Sequence, residues 1–337
     1  MEDVLISLCM ICKDDKNFIR ESIESIKDVV DEIIIANIDN KKDVKYIAEY
    51  YGGIIINEKF EGDYSKIRNE MIKRSKGKWI LILDSDEVID NENKEKIFEY
   101  INENKRDKGI YVRVKSIIDN KIRGIDNFIR LFRNDKNIKF SGKIQESVTE
   151  SIIEFYGENS LSFSDIEICS YGNDVKYVDI ERKNNRVIDI LNSYKDYEKD
   201  FIYFYNLANE YGKNLKFKEA LENYNKSLKL INKAESEYIY IRLIANKIKA
   251  LYQLNRYDEA ENEIENFVKD YNDFRDVYFI NCLIKIQKYK FNLAKEYLDK
   301  YISIPLNIKY PSSEFEEVIN IYELRNKLNS IDLILEN

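Results

Sequence analysis

The chain has 337 residues, of which 44% are hydrophobic and 34% charged, a length and composition that suit two packed domains and argue against wholesale disorder. Its net charge of −8, from 54 Lys and Arg against 62 Asp and Glu, excludes general nucleic-acid binding, which needs clustered positive charge. The sequence contains no histidine, which excludes histidine-based triads, general bases and metal ligands. Any metal site would have to use oxygen ligands, which favours Mg²⁺ or Mn²⁺.

We expect a soluble cytoplasmic protein without a transmembrane segment. No apolar run approaches the roughly 18 residues of a membrane-spanning helix, and the first residues, Met1-Glu-Asp-Val4, lack the basic-then-apolar pattern of a signal peptide. The four cysteines are too few and too scattered for a disulfide framework. Cys9 and Cys12 have the spacing of a redox motif, but they fall within a predicted strand, so we predict that both belong to the core.

The first 90 residues alternate between two hydrophobic periodicities. Apolar, β-branched runs predict buried strands at Val4–Ile11, Glu32–Ala36, Ile54–Ile56 and Trp79–Leu83. Apolar residues spaced three and four apart predict helices over 17–28, over 44–51 before Gly52-Gly53, and from Asp63 to near Gly77. Such alternation requires a mainly parallel sheet with right-handed crossovers, so we predict an α/β fold. A helix over 91–103 and further strands, including Gly109–Val114 and Asn127–Phe132, would complete a nucleotide-binding domain.

The pattern becomes uninterruptedly helical after about residue 180. Ala260 and Ala294 lie 34 residues apart, the period of tetratricopeptide helix–turn–helix repeats. Ala220 precedes Ala260 by 40 residues, which implies an insertion. Small residues at these positions allow the two helices of each pair to approach closely, although a generic helix bundle remains an alternative. We therefore predict an α/β domain over 1–180 and an all-α, tetratricopeptide-like domain over 181–337.

Polar residues stand at the ends of the predicted strands, where ligands bind in parallel α/β sheets. Lys13 follows the first strand, Asn37 the second, and Asp84-Ser-Asp86 the fourth. Two acids one residue apart suit a divalent cation that bridges a diphosphate, although acidic pairs are also common in turns. Arg68 lies one helix upstream, and its planar guanidinium suits a pyrophosphate or base contact.

Taken in order, these segments resemble the family 2 glycosyltransferases of GT-A fold, specifically bacterial members with a tetratricopeptide tail. The residues that carry the resemblance are Ser7-Leu-Cys-Met-Ile-Cys-Lys13, Asp31-Glu-Ile-Ile-Ile35, Asp63-Tyr-Ser-Lys-Ile-Arg-Asn69, Gly77-Lys-Trp-Ile-Leu-Ile-Leu-Asp-Ser-Asp-Glu87, Arg130-Leu-Phe-Arg-Asn134 and Phe140-Ser-Gly-Lys-Ile-Gln-Glu146. The resemblance implies a Rossmann-like, mainly parallel sheet and transfer of a hexosyl or N-acetylhexosaminyl group from a UDP-sugar with inversion. It also implies assistance by Mn²⁺ or Mg²⁺.

The resemblance assigns roles to individual positions. Asp84 and Asp86 match the D-x-D pair, with Asp86 as the metal ligand and Asp84 nearer the ribose. Glu146 matches the position of the general base, which removes the proton of the acceptor as it attacks the anomeric carbon. The residues expected to bind the nucleotide-sugar are Lys13, Asn37, Arg68, Asp84 and Arg133.

The sequence departs from the family pattern at three places. Asn37 stands where the family has aspartate, although its amide can still hydrogen-bond a uracil. Gln145 and Ser170 stand where the family has histidines, in motifs like His-Glu and His-Tyr-Gly. The metal would then be held by carboxylates, water and phosphate, or be weakly bound, or the enzyme would be impaired.

Two functions therefore fit the sequence. The first is a metal-assisted inverting glycosyltransferase whose helical tail recruits a peptide or protein acceptor or forms a homodimer. The second is a catalytically impaired domain that acts with its repeats as a protein-binding scaffold. The helical tail favours a polypeptide acceptor, because repeat solenoids present extended surfaces that a small glycan would not require.

Overall fold

A computed structural model describes residues 5–13, 18–57, 59–103, 106–233, 237–305, 307, 310 and 320–335. The chain divides into two compact units, Met1–Ser193 and Tyr194–Asn337. The helical pattern predicts a boundary after residue 180, whereas the helix Ile180–Asn192 lies in the first unit. Val4 and Asn17, the predicted starts of the first strand and helix, lie outside the described residues.

The first unit alternates strands and helices as the periodicities predict. Its strands are β1 Ile6–Cys12, β2 Glu32–Asn37, β3 Ile54–Ile56, β4 Trp79–Ile82, β5 Glu87–Val88, β6 Gly109–Ile118, β7 Lys121–Arg133 and β8 Leu161–Ser170. Its helices are α1 Ile19–Glu24, α2 Lys42–Tyr50, α3 Tyr64–Arg74, α4 Asn91–Glu103, α5 Thr149–Tyr156 and α6 Ile180–Asn192. The strands form one mixed sheet in the order β3-β2-β1-β4-β7-β6-β8-β5.

The first half of the sheet is parallel, so the polar residues at the carboxyl ends of its strands lie at one edge. β1 pairs in parallel with β2 and β4, and β2 with β3, so their carboxyl ends point the same way. Every residue of β1 is buried, as expected for a strand covered by helices on both faces. Gly77 admits the close approach before β4, because a Cβ there would lie 2.6 Å from the Ser7 nitrogen.

The second half of the sheet is a long hairpin with a strand added on its far side. β6 and β7 are antiparallel, and their two-residue turn, Asp119-Asn120, has positive φ at both positions, as primed hairpin turns require. The strands run longer than the predicted Gly109–Val114 and Asn127–Phe132. β8 pairs in parallel with β6 and antiparallel with β5, which brings residues 169–170 beside Glu87 and Val88.

The second unit is built from successive helix pairs, as the alanine spacing predicts. Its helices are α7 Phe201–Lys213, α8 Phe217–Leu230, α9 Glu237–Gln253, α10 Tyr257–Phe267, α11 Asp276–Gln287, α12 Phe291–Ser303 and α13 Ile321–Leu335. Ala220, Ala260 and Ala294 are fully buried in the second helix of their pairs. The extra length between Ala220 and Ala260 falls mainly in α9, which has 17 residues where α11 has 12.

None of the helices in the described ranges combines the length and the apolar character that a bilayer-spanning segment requires.

The cysteines offer a test of the predicted core. None of the four forms a disulfide within the described residues, and burial raises the pKa of the Cys9 and Cys282 thiols to about 12. Because the thiolate is the reactive form, we expect iodoacetamide at pH 8 to leave Cys9, Cys12 and Cys282 unmodified in the native protein and to label only the half-buried Cys169, slowly. Mass spectrometry counts the labels, and unfolding in urea should expose all four sites. Rapid native labelling of Cys9 or Cys12 would contradict the burial of β1.

Candidate active site

The predicted polar residues meet at the carboxyl edge of the parallel strands. Lys13 follows β1, Asn37 ends β2 and Asp84 follows β4, so the adjacent strands β2, β1 and β4 deliver all three to this edge. α3 places Arg68 beneath it, with the Asp63 carboxylate capping the helix start by accepting a hydrogen bond from the Lys66 amide at 3.2 Å.

Asp84 is held by cations from several elements. Arg68 Nη2 donates to Asp84 Oδ1 at 2.7 Å, and Arg130 Nη2 of β7 lies 3.5 Å from Asp84 Oδ2. Burial alone would raise the pKa of Asp84, but the charges of Lys13, Arg68 and Arg130 hold that pKa far below its usual range. Asp84 is therefore a carboxylate at neutral pH, with both of its oxygens directed at arginines.

Arg68 also binds the predicted general base. Its Nε donates to Glu146 Oε1 at 3.0 Å, which places Glu146 at the same edge as Asp84. The guanidinium is 2% exposed, and the Glu146 side chain is 10% exposed. Lys13 completes this side of the site, because its Nζ lies over the Tyr64 ring at 4.6 Å from the centroid. Lys13, Arg68, Asp84 and Glu146 thus form one buried network of alternating charge.

Asp86 and Glu87 join Asp84 in a cluster of carboxylates. Ligand atoms of the three side chains lie within 4.8 Å of one another. Burial raises the pKa of Glu87 to about 7, against the opposing charge of Arg130, whose Nη2 donates to Glu87 Oε1 at 2.6 Å. Burial and the neighbouring Asp84 carboxylate raise the pKa of Asp86 as well.

The chemistry of this donor set fits a hard divalent cation. Carboxylate oxygens are the ligands that Mg²⁺ and Mn²⁺ prefer. Glu87 is committed at both oxygens, since Oε2 accepts from the Asp84 amide at 2.9 Å. Asp86 is only 8% exposed, and its carboxylate accepts no hydrogen bond from the described residues. Asp86 is therefore the acid best placed to contribute oxygens to a metal.

The loop after β8 closes over Asp86. The Tyr171 amide donates to the Asp86 carbonyl at 2.9 Å, and Gly172 passes beside the carboxylate. A Cβ at Gly172 would lie 2.7 Å from Asp86 Oδ2, so the side chain of any other residue would displace this acid. Ser170, Tyr171 and Gly172 are thus brought to the carboxylate cluster.

Two predicted residues are placed differently from their expected roles. Asn37 is buried and its amide serves its own turn: Nδ2 donates to the Lys41 carbonyl at 2.8 Å, and Oδ1 accepts from the Lys41 amide at 3.0 Å. Arg133 does not join this edge at all. β7 runs antiparallel to β4 and pairs Arg133 with Trp79, the first residue of β4, so its guanidinium stacks 4.0 Å from the Trp79 ring centroid at the opposite end of the strand.

Sequence reasoning also missed residues that the fold brings here. Glu87 directly follows the acidic pair and was recognisable from that adjacency. Arg130, three residues before Arg133, reaches the site because of the register of β7, which the sequence does not reveal. The helix α6 contributes Arg186, whose Nη2 lies 2.5 Å from Asp39 Oδ1, and Lys183, whose Nζ donates to the Gly172 carbonyl at 2.6 Å.

The chain is similar to known glycosyltransferases and to repeat proteins. Residues 7–165 match the family model described as glycosyl transferase family 2. The chain is 28% identical over 148 residues to a TPR repeat-containing protein of Synechococcus elongatus, a match that covers 44% of this chain and 36% of that protein. It is 21% identical over 348 residues to the SPbeta prophage-derived glycosyltransferase SunS of Bacillus subtilis, covering 98% of this chain and 70% of SunS. Among solved structures, S. aureus TarS 1–349 in complex with UDP-GlcNAc is similar at 16% identity and a TM-score of 0.41, covering 73% of this chain and 81% of that one.

The buried arginine gives a stability test of the network. Replacing Arg68 with Met would leave Asp84 and Glu146 without their shared cation, so we expect the free energy of unfolding to fall by about 3–5 kcal/mol at pH 7. Arg74→Met, a change on the same helix at a residue that is 42% exposed, should cost less than about 1 kcal/mol. Urea titration followed by circular dichroism measures both.

The loss of stability in the Arg68→Met variant should depend on pH in a definite direction. In the native chain the pKa of Asp84 is lowered, so its stabilising contribution is present above the unfolded-state value and lost only in strong acid. Without Arg68 the carboxylates protonate more readily. The deficit of the Arg68→Met variant should therefore shrink as the pH falls from 7 towards 4, and a deficit that stays constant would contradict the ion-pair explanation.

Proposed function

Because residues 7–165 form a glycosyltransferase family 2 domain, we propose that this chain transfers a sugar from a UDP-sugar to a peptide or protein, with inversion at the anomeric carbon. The observation that carries the proposal is the carboxylate cluster of Asp84, Asp86 and Glu87, which faces buried cations at the carboxyl edge of the sheet. An edge that combines carboxylates for a metal with cations for an anion suits a nucleoside diphosphate.

The donor would lie along the ends of β2, β1 and β4. Its base would approach the turn after β2, and its diphosphate would lie between Lys13 and Asp86. Arg68 would act on the donor through Asp84, since its guanidinium is engaged with that carboxylate and with Glu146. The transferred group would be a hexosyl or N-acetylhexosaminyl residue.

A divalent cation, Mn²⁺ or Mg²⁺, would be held by Asp86, with Asp84 as a second, more distant ligand. When bound, such an ion neutralises charge on the departing diphosphate. The protein's own contribution is to hold Asp86 beside Asp84 and Glu87 at this edge. Burial and the Asp84 carboxylate raise the pKa of Asp86, and the charges of Lys183, Lys13 and Arg130 oppose that rise.

Glu146 would take the proton of the acceptor. In the step, the acceptor oxygen or sulfur forms a bond to the anomeric carbon, the bond from that carbon to the phosphate oxygen breaks, and UDP departs with the electron pair. The acceptor proton passes to Glu146. Arg68 Nε donates to Oε1, which leaves Oε2 to face the incoming hydroxyl or thiol.

Exchange of Asp86 for Asn tests the metal role. We expect UDP release from UDP-GlcNAc or UDP-glucose with Mn²⁺ to fall at least about 100-fold, because the amide cannot supply the anionic oxygen. Asp119→Asn removes an exposed acid at the β6–β7 turn and should leave the rate unchanged. Mn²⁺ affinity measured by calorimetry in the presence of UDP should drop in parallel.

Equal rates for wild type and Asp86→Asn would reject the metal role. A wild-type chain that neither releases UDP nor gains thermal stability from UDP would reject the transferase and favour the scaffold. At a concentration 100 times its dissociation constant, a ligand should stabilise the fold by about 2.7 kcal/mol. A thermal unfolding measurement with and without UDP would therefore detect binding.

A polypeptide acceptor is favoured by the helical unit. The first helices of neighbouring pairs, α7 and α9, bring amide and aromatic groups together. Asn246 Nδ2 donates to Asn209 Oδ1 at 3.2 Å, and the Arg242 guanidinium lies 5.8 Å from the Tyr205 ring centroid. Amides and a guanidinium can pair with the backbone and the carboxylates of a peptide.

Substitution at this amide pair tests the acceptor assignment. We expect Asn209→Ala/Asn246→Ala to raise the KM for a peptide acceptor about tenfold while leaving donor hydrolysis without acceptor unchanged, because lost hydrogen bonds weaken acceptor binding alone. Asn225→Ala on the exposed face of α8 is the matched control. The assay follows the mass increase of peptides containing Ser, Thr or Cys, with monosaccharide acceptors in parallel. Transfer to monosaccharides only would overturn the polypeptide acceptor.

A further inference from the structure

α6 carries a row of cations along the candidate donor site. Arg182, Lys183 and Arg186 lie within four positions of the helix, and Asp179 caps its start by accepting a hydrogen bond from the Arg182 amide at 3.1 Å. Residues 182, 183 and 186 lie close together on a helix surface, because positions three and four apart are neighbours. A chain of net charge −8 thus places several positive charges along one side of this edge.

The cations of this row contact two places at the carboxyl edge of the sheet. Arg182 Nη2 and Arg186 Nη2 lie 3.1 and 2.5 Å from Asp39 Oδ1, just after β2. Lys183 Nζ donates to the Gly172 carbonyl at 2.6 Å and to Asn173 Oδ1 at 3.0 Å, in the loop beside Asp86. α6 therefore contacts both the turn after β2 and the loop beside the carboxylate cluster.

The position of Lys183 is set by Gly172. The backbone of Gly172 lies so close to Asp86 that a Cβ there would meet the Asp86 carboxylate, and the carbonyl of the same residue accepts from the ammonium of Lys183. Lys183 is thus held at the loop that passes beside the Asp86 carboxylate.

We infer that Lys183 binds the diphosphate of the donor. Its ammonium is held at the loop whose Gly172 passes beside the Asp86 carboxylate, the acid at which the phosphates would lie. Lysine binds phosphate as a compact point charge.

This inference rests on the proposed function but concerns a residue outside the family match. The family model ends at residue 165, and α6 begins at Ile180, so the match assigns nothing to Lys183. The ligand class is a nucleoside diphosphate. The diphosphate, and not the nucleoside, is the part that Lys183 would recognise.

Calorimetric titration with UDP and with uridine, each in EDTA and again with Mn²⁺, tests the inference on the full-length chain. We expect Lys183→Met to weaken UDP binding about tenfold or more, as for the loss of a charge-assisted hydrogen bond, and to change uridine binding less than twofold. Lys183→Arg should restore most of the UDP affinity because it keeps the charge. Lys176→Met removes a half-exposed lysine of the preceding loop and serves as the matched control.

The outcomes separate the inference from the proposed function. Equal UDP affinity in wild type and Lys183→Met would overturn the inference and leave the transferase intact. A parallel loss of uridine and UDP affinity would also overturn it, because it would assign Lys183 to holding the loop in place. A wild-type chain that binds neither ligand would reject the donor site and the inference together. Urea titration of each variant establishes that the fold is kept.

Discussion

The site depends on the neutralisation of carboxylates that the fold buries. Asp84, Asp86, Glu87 and Glu146 lie at one edge of the sheet with little exposure, and a buried charge is tolerated only where it is paired. Arg68 and Arg130 each bridge two of these acids. The cations come from a helix before β4 and a strand after it, so the network requires that the first unit fold as a whole.

This dependence explains which parts of the site could be predicted from the sequence. Strand ends follow from hydrophobic periodicity, and parallel pairing sends them to one edge, which is why the sequence could predict that Lys13 and Asp84 lie at the ends of neighbouring strands. β7 enters the sheet antiparallel, and its register with β4 is set by the hairpin that it forms with β6. Arg130 and Arg133 are both arginines near the end of the same strand, and only the register decides that the first of them reaches Asp84.

Other features of the site depend on contacts far apart in the chain or on very local ones, and the sequence does not reveal them. Lys183 lies 11 residues from the carbonyl that it binds and 97 from Asp86, and no pattern in the sequence of α6 indicates that distant partner. Asn37 was read as a ligand for a base, but its amide closes the turn to Lys41, where asparagine commonly bonds its own backbone. Predictions from residue type alone cannot separate these two uses of a side chain.

The balance of charge at this edge indicates why a cation on α6 matters. Before any ligand binds, the arginines Arg68 and Arg130 are already committed to Asp84, Glu87 and Glu146 by short contacts. A diphosphate brings at least two further negative charges into a site that is shielded from water, where unpaired charge is most costly. Additional positive charge must therefore accompany it. A divalent ion at Asp86 would supply part of it, and Lys183, fixed beside the same carboxylate by the Gly172 carbonyl, is placed to supply the rest.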